Sequence, residues 1–312
     1  MRYWISSSVF LRETVLEGYL INTSPLRVGS GREPPLGATV DLAVLRIPYN
    51  DRLIPYIPGS SLKGMFRSQA TAIARSAGFD VCTGLSKETC MDLKRVSDSE
   101  SEEQILGDYV ELRLRRRNSE EAMKKFWENA CLMCKVFGSP GYAGKVHFED
   151  AYPIDKDGNP LPVGLGIRTG IAVDRRTGAV MRQALYTVEY VEPGARFRFN
   201  ILCRNLPNYA LGLLGVILRM TNQGQVKIGG FKTRGFGMVR VEDLKFRNRE
   251  FPQSNDTTLK DLEDGVDAPV DLQGLVEIKD GWQVAEGNNA WRVLDKLEEV
   301  WGKVASSKRT SH

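Results

Sequence analysis

The chain has 312 residues, of which 42% are hydrophobic, so it can bury a large core in one elaborated domain or in two. No apolar run reaches the length of a membrane span and the first residues lack the core of a signal peptide, so we expect a cytoplasmic protein without membrane contact. The net charge of +4 is uneven, because residues 1–241 hold 33 Lys and Arg against 24 Asp and Glu, whereas residues 242–312 hold 10 against 15. A basic body of this kind suits contact with a polyanion, although solvated basic faces are common.

The chain begins with a predicted core strand, followed by a loop that carries an aspartate. Residues 14–22 combine alternation with β-branched and aromatic side chains, which is typical of a strand. Residues 25–37 are too rich in Gly and Pro for regular structure. This loop leads to Asp41, at the edge of the apolar segment 42–47.

Residues 56–67 combine a turn, a helix start and a surface that could face an anion. A Pro-Gly pair ends a strand-like run, and Ser60 or Ser61 is predicted to cap the helix that follows. The free amides of the first turn, together with Lys63 and Arg67 on one face above them, would suit a phosphate. The alternative is an ordinary amphipathic helix with two solvated cations. The spacing does not match a P-loop, so a nucleoside triphosphate is not expected.

The middle of the chain is predicted to hold an insertion and a second helix. Residues 79–118 are strongly charged and indicate an irregular insertion. Asn118 and Glu121 have the spacing of a capping box, which predicts a helix that continues to Gly138.

The second half of the chain alternates strands with one apolar helix. Strands are predicted near 145–150 and 196–202, a long hairpin with a basic tip at 167–185, and a helix at 211–220. A glycine-rich loop within 228–241 then enters a last core strand. The order strand, helix, strand and again strand, helix, strand predicts an α+β, ferredoxin-like core with large insertions.

We therefore predict one domain, a linker and a tail. The domain covers residues 1–250, and the polar, acidic stretch 251–271 is typical of a linker. The tail covers residues 272–312. Its amphipathic helix, which would dock on its own domain or on a neighbour, is predicted from the spacing of Trp291, Leu294, Leu297, Trp301 and Val304.

Four cysteines form a candidate metal site. Cys82 and Cys90, with Cys131 and Cys134 forty residues further on, supply enough thiolates for a closed tetrahedral zinc site that would hold the insertion to the helix. Buried inert thiols, or a disulfide, are the alternatives. Cys203 lies in a predicted strand and is expected in the core.

Five motifs occur in one order and, taken together, resemble the RAMP superfamily of CRISPR proteins. Within it, the resemblance is to the repeating backbone subunits of type III (Csm and Cmr) effector complexes, and it covers roughly residues 14–242. It implies an RRM-like core, a thumb-like hairpin, and a filament of subunits along a CRISPR guide RNA that pairs with a target RNA. The motifs are Pro58-Gly-Ser-Ser-Leu-Lys-Gly-x-x-Arg67, Cys134-x-x-Phe-Gly138, Phe148-x-Asp-Ala151, Arg168-Thr-Gly-x-x-x-Asp-Arg-x-Thr-Gly178 and Gly229-Gly-x-x-x-Arg-Gly-x-Gly237.

The resemblance assigns RNA contacts to the hairpin and to the glycine-rich loop. The hairpin 167–185 looks like the family's thumb, in which Ile171, Val173 or Met181 would break the base stack of the guide. In the loop, backbone amides could approach a phosphodiester, and Phe231 or Phe236 could stack on a base; an ordinary tight turn is the alternative. The candidate RNA-binding residues are Ser60, Ser61, Lys63, Arg67, Arg168, Arg175, Arg176, Lys232, Arg234 and Phe236.

Asp41 matches the position of the acidic residue with which family members cleave target RNA. The family loop commonly reads Gly-Gly-x-Asp-Asn-Pro, whereas this chain has Gly37-Ala-Thr-Val-Asp-Leu-Ala43, so the neighbours differ. The carboxylate would hold Mg²⁺ or Mn²⁺ or orient a ribose 2′-hydroxyl for attack on its adjacent phosphate. The alternative is a structural or solvated aspartate.

Three functions follow from these expectations. The first is an RNA-guided endoribonuclease subunit that cuts guide-complementary RNA, and the second is a guide-binding subunit without cutting activity. A transcript-processing nuclease is third, because such enzymes often use histidine, and here His147 is expected to be structural and His312 ends the sequence. The expected partners are guide RNA, target RNA, copies of this chain or paralogous subunits, and other type III subunits.

Overall fold

The computed structural model describes residues 4–29, 40–98 and 101–309, without the side chains of 98, 101–102, 172–173 and 180–184. Across these residues, no helix combines the length and apolar character that crossing a membrane requires. The strands are β1 Arg12–Asn22, β2 Arg46–Tyr49, β3 Arg52–Pro55, β4 Arg95–Asp98, β5 Ser101–Ile105, β6 Gly138–Ser139, β7 Tyr142–Ala143, β8 Val146–Phe148, β9 Leu165–Val173, β10 Val180–Val191, β11 Arg196–Arg204, β12 Val239–Glu250, β13 Thr258–Leu259, β14 Val270–Asp271, β15 Glu277–Lys279 and β16 Trp282–Glu286. The helices are α1 Gly59–Ser76, α2 Cys90–Leu93, α3 Leu106–Arg115, α4 Ser119–Asn129, α5 Leu132–Phe137, α6 Asn208–Asn222 and α7 Asn288–Arg309.

A six-stranded antiparallel sheet in the order β15-β16-β12-β1-β11-β8 is the centre of this α+β fold. The strand β1 lies between β12 and β11, and its Leu16 is opposite both Phe246 and Ile201, so the three apolar side chains share one face. The strand β11, predicted near 196–202, alternates buried with more exposed positions, so its aromatic residues lie on one face and its cations on the other. One face of the sheet therefore forms the core and the other is strongly charged.

The helices α6 and α7 pack closely against each other and against β12. A Cβ atom at Gly212 would lie 2.1 Å from the carbonyl oxygen of Leu297, so only glycine permits this approach. The apolar residues predicted for α7 are buried, except that Trp291 is half-buried. The tail also adds β15 and β16 to the edge of the sheet, and Leu259, within the stretch 251–271, is fully buried.

The sequence indicated an irregular insertion at 79–118, and this prediction is wrong. It folds into α2, the hairpin β4–β5 and α3, because Val96, Leu106 and Tyr109 bury their side chains in the common core. The cap of α4 is confirmed, since Asn118 Oδ1 accepts a hydrogen bond from the Glu121 amide at 3.3 Å.

The prediction of a single helix that continues to Gly138 is wrong. It divides into α4 and α5, and the amide of Cys131, at the break, donates to Cys90 Sγ at 3.3 Å. The break thus turns a backbone donor toward the cysteines instead of toward a helical carbonyl.

Candidate nucleic-acid interface and metal centre

The hairpin formed by β9 and β10 places two tyrosines over two glycines. Tyr186 lies opposite Gly170 and Tyr190 opposite Gly166, so the four residues share one face with Arg168 between the glycines. A Cβ atom at Gly170 would lie 2.2 Å from Cζ of Tyr186, and one at Gly166 would lie 2.6 Å from Cζ of Tyr190. The glycines therefore leave room for each ring to lie across the neighbouring strand.

The glycine-rich loop between α6 and β12 closes against Arg27. Gly229 has a φ of +80°, and its Cβ would lie 2.2 Å from the Arg27 carbonyl oxygen, which also accepts the Gly230 amide at 2.8 Å. The next residue, Phe231, has a left-handed backbone with a φ of +56°, which costs an L-residue about 1–2 kcal/mol. A 3₁₀ turn, Lys232–Arg234, follows and presents two exposed cations.

The two phenylalanines of this loop meet the hairpin in different ways. Phe236, predicted to stack on a base, is only 2% exposed and packs edge-on against Tyr190 with ring centroids 5.8 Å apart. Phe231 is half-buried, and its ring is near-parallel to that of Tyr186, with centroids 6.5 Å apart and an interplanar angle of 18°. The structure thus places Phe236 in the core, whereas Phe231 keeps part of its ring at the surface.

Two arginines lie against the Phe231 ring. Arg234 donates to the Tyr186 hydroxyl at 2.7 Å and lies 5.1 Å from the Phe231 ring centroid, and Arg27 lies 5.7 Å from the same centroid. Burial lowers the pKa of Arg27. Arg234 also lines a pocket of about 590 Å³, here called the hairpin pocket, together with Arg168, Arg175, Tyr186, Phe231 and Phe236. Cations and aromatic faces in one concave site are what single-stranded nucleic acid requires.

The tip of the hairpin carries the two other predicted cations. Arg175 and Arg176 are exposed, and Ile171, one of the residues expected to break a base stack, is half exposed. The side chains of Val173 and Met181, the other two candidates, lie outside the described residues.

Asp41 lies beside β10 and is bonded to it. Its Oδ2 accepts hydrogen bonds from the Thr187 amide at 2.6 Å and the Thr187 hydroxyl at 2.8 Å, and its own amide donates to that hydroxyl at 2.9 Å. The backbone and then the side-chain hydrogen bond of Thr187 lower the pKa of Asp41. Asp41 is exposed, and its partner Thr187 is the residue that follows Tyr186 in β10.

The predicted serine cap of α1 is wrong. The capping position is Pro58, without a side-chain hydrogen bond, and the first amide, of Gly59, donates to Asp150 Oδ1 at 2.7 Å. Ser60 and Ser61 lie within the first turn. A carboxylate from another part of the chain therefore already occupies the positive end of this helix.

Lys63 and Arg67 do not converge on one ligand. Lys63 is half-buried, and burial lowers its pKa, with Arg67 adding to the effect. The Arg67 guanidinium instead points inward, where it donates to the Gly138 carbonyl at 2.8 Å and to Cys134 Sγ at 3.9 Å. Arg67, predicted as an RNA contact, thus belongs to the surroundings of the cysteines.

The four predicted cysteine ligands come together in a cysteine centre, formed by Cys82, Cys90, Cys131 and Cys134. Their Sγ atoms all lie within 4.8 Å of one another, and Cys82 is 3.3 Å from Cys134 and 3.6 Å from Cys131. The thiols are free, and these separations exceed the S–S bond of about 2.05 Å. The remaining cysteine, Cys203, is fully buried in β11, as expected.

The cysteine centre fits a tetrahedral metal such as zinc. Four thiolates with Zn–S bonds of about 2.3 Å have sulfur–sulfur edges of about 3.8 Å, close to the separations found. The Cys131 amide and the Arg67 guanidinium donate to the sulfurs of Cys90 and Cys134, and so would offset the negative charge of a thiolate site.

Comparison with known proteins agrees with this geometry. Residues 20–240 match the family model of the RAMP superfamily, which is more than half of the chain. The chain belongs to the RAMP superfamily. It is also 21% identical over 300 residues to the protein named CRISPR system Cms endoribonuclease Csm3 from Methanocaldococcus jannaschii, and the alignment covers 94% of this chain and 96% of that relative.

Sequence reasoning missed two residues of this RAMP protein's interface: Tyr186, which lines the hairpin pocket, and Arg27, which lies beside the Phe231 ring. Arg27 lies in a Gly- and Pro-rich loop, and nothing in its local sequence shows that the chain returns to it some two hundred residues later. Tyr186 had a detectable signal, because its hairpin partner is a glycine, but only a known register identifies the pair.

Proposed function

We propose that this RAMP protein is a guide-RNA-binding backbone subunit of a type III CRISPR effector complex. The hairpin pocket carries the proposal, because it gathers Arg168 and Arg234 around Tyr186 and Phe231, and Arg27, from a third part of the chain, lies 5.7 Å from the Phe231 ring centroid. The named function of the Csm3 relative supports it. Guide RNA, target RNA, further copies or paralogues, and other type III subunits are then the partners, in the cytoplasm.

The strand order supports a ferredoxin-like, RRM-like core for this subunit. Four strands of the sheet, β1, β8, β11 and β12, are first to fourth in chain order. Across the sheet they lie in the order fourth, first, third, second, and each neighbouring pair is antiparallel. The helix α1 lies between the first and second, and α6 between the third and fourth. This is the split βαβ arrangement, with the hairpin β9–β10 and the insertion 79–118 added to it as thumb and lobe.

Target cleavage by Asp41 is the proposed activity. A ribose 2′-oxygen would attack its adjacent phosphorus as the bond to the 5′-oxygen breaks. The 2′ proton is lost to a base and the departing 5′-oxygen takes a proton from water, which leaves a cyclic 2′,3′-phosphate and a 5′-hydroxyl. Mg²⁺ is commonly held by one or two carboxylates plus substrate phosphates, so one exposed, ionised Asp41 fits Mg²⁺ or Mn²⁺, which would offset the charge at the phosphate.

The second candidate is a guide-binding subunit that does not cut. The double hydrogen bond between Asp41 and Thr187 favours it, because this contact gives the aspartate a structural role in joining its loop to the hairpin.

Purification of the full chain from its own cells tests the RNA-binding class. We expect small RNA of varied length with a constant 5′ segment to accompany the protein, because a backbone subunit would hold the guide mainly through its phosphates. Protein free of RNA that also fails to bind single-stranded RNA at low salt would contradict the proposal.

A further inference from the structure

The outer edge of β9 has no partner strand within the part of the chain that the structure describes. The hairpin is a two-stranded sheet in which β10 also bridges to Leu26 and Leu42, whereas β9 pairs with β10 alone. An unpaired edge presents a row of free N–H and C=O groups to which another strand can bond. One long edge of the hairpin is therefore joined to the body of the protein, and the other is open.

The hydrogen bonds of β10 show which residues of β9 direct their backbone groups outward. The Thr187 carbonyl accepts a hydrogen bond from the Leu42 amide at 3.0 Å, on the side away from β9. In an antiparallel pair, two residues opposite each other either bond to one another or both point outward. Thr169 is opposite Thr187, so its N–H and C=O point away from β10. The period of two in a strand gives the same direction to Ile167 and Ile171.

The side chains at this edge are apolar and exposed. Ile167 is 59% exposed and Ile171 is 50% exposed, and Leu185, which lies opposite Ile171 on the same face, is 67% exposed. Edge strands of soluble proteins are usually guarded by lysine, proline or a bulge. Residues 165–173 hold no proline and one charged residue, Arg168. This edge therefore has the composition of a contact surface rather than of a guarded edge.

The sequence of β9 is complementary to itself in an antiparallel arrangement about Thr169. Isoleucines lie two residues before and two residues after it, so Ile167 of one copy would lie opposite Ile171 of a second copy. Cross-strand pairs of β-branched side chains stabilise a sheet. On the other face Arg168 would lie opposite Gly170, so the guanidinium groups of two copies do not meet directly. A register centred on Arg168 would place these like charges opposite each other, which disfavours that register.

We propose that two copies of this chain associate through antiparallel pairing of their β9 strands, with the two-fold axis at Thr169. The two hairpins then form one continuous sheet, and both copies use the same surface. Such a contact closes on itself, unlike the head-to-tail contacts of a filament, so it differs from the association expected along a guide RNA. It does not depend on the proposed RNA-binding function.

Sedimentation velocity of the full chain, freed of RNA at high salt, tests the pairing over roughly 1–200 µM. Because two paired strands make a small interface, we expect a weak dimer with a dissociation constant on the order of 10 µM. Thr169→Pro removes the outward amide and is compatible with a solvent-facing strand edge, so dimer affinity should fall roughly tenfold or more. Thr169→Val is the matched control, because it keeps the amide and favours a strand, and it should dimerise like the wild type.

Charged substitutions test the register. Ile167→Lys combined with Ile171→Lys places ammonium groups opposite each other across the axis and should abolish the dimer. Ile167→Lys combined with Ile171→Glu places opposite charges there and should keep the dimer. Circular dichroism of each variant checks that it folds.

Four results overturn the proposal. The wild-type chain stays monomeric throughout the concentration range, or the dimer persists at wild-type affinity in Thr169→Pro. Alternatively, Thr169→Val loses as much affinity as Thr169→Pro, or both double variants dimerise equally. None of these results bears on RNA binding, which co-purification tests separately.

Discussion

The hairpin pocket and the cysteine centre are built on opposite principles. In the pocket, the side chains of Arg168 and Arg234 extend from exposed positions toward a surface lined with aromatic rings. In the cysteine centre, four thiols converge on a common point and two of them are buried. Divergent donors require a ligand that arrives from outside, whereas convergent donors enclose one ion and join the segments that carry them.

Arg67 was predicted to contact RNA, but in the structure it lies beside the cysteine centre. Its spacing from Lys63 placed it with the phosphate contacts, yet its guanidinium contacts Gly138 and Cys134. The comparison of the two regions thus yields opposite expectations for cations that look equivalent in the sequence.

The largest effect is expected from loss of a cysteine ligand. Cys131→Ser and Cys134→Ser should each remove about one zinc per chain and lower the melting temperature by on the order of 10 °C, because binding energy at a structural zinc site is folding energy. Elemental analysis and thermal denaturation measure the two outcomes, and residues 80–117 should become more open to proteolysis.

The control for this loss is Cys203→Ala, which removes a buried thiol of β11 outside the cysteine centre. It should reduce stability while zinc stays bound. Wild-type protein that is purified without chelators and holds no metal would show that the four thiols are a packed cluster only.

Next in size is the effect of Asp41 on cleavage. Asp41→Asn keeps an oxygen that can accept from Thr187 but removes the charge, so we expect the cleavage rate of complementary RNA to fall by about 100-fold or more with nearly unchanged RNA affinity. The cut should require Mg²⁺ or Mn²⁺ and should fail on a target with a 2′-deoxyribose at the cleavage site.

Thr187→Val separates the two roles of Asp41. It removes the side-chain hydrogen bond but leaves the charge and the backbone hydrogen bond in place. Full cleavage by Asp41→Asn would leave the protein a non-cutting scaffold, and an equal loss in both variants would mean that the aspartate acts by holding the loop.

The smallest expected effects are those of cation removal, which should change zinc retention in one variant and the salt dependence of RNA binding in another. Arg67→Ala should weaken zinc retention about tenfold in competition with a chelator, as is usual for residues that support metal ligands, and should leave the salt dependence of RNA binding unchanged. Lys232→Ala combined with Arg234→Ala should reduce the slope of log affinity against log salt by about 1.4, the value for two single-strand phosphates, and should leave zinc bound.

Each variant is the control for the other, because each removes exposed or half-buried cations of the same charge. A reduced salt slope with full zinc retention in Arg67→Ala would return Arg67 to the RNA interface, as its spacing from Lys63 first indicated.

The sequence by itself determined the main elements and the four cysteines of the candidate metal site. The alternation in β11 and the helical spacing in α7 report a periodic burial that any tertiary arrangement must satisfy, and the β-branched and aromatic residues of β1 fit its almost complete burial, so these elements were predicted nearly in full. The four cysteines were identified together because their number and spacing match a tetrahedral thiolate site, and the structure brings their sulfur atoms within 4.8 Å of one another.

Tertiary structure decided which groups of other elements each side chain contacts. Periodicity states that Lys63 and Arg67 share a face of α1, but the elements packed against that face determine that Arg67 reaches Cys134. Asp41 meets Thr187, and Phe231 meets Tyr186, only because distant segments lie side by side in the folded chain. Contacts of this kind depend on strand register and on loop closure, and neither has a local signature in the amino-acid sequence.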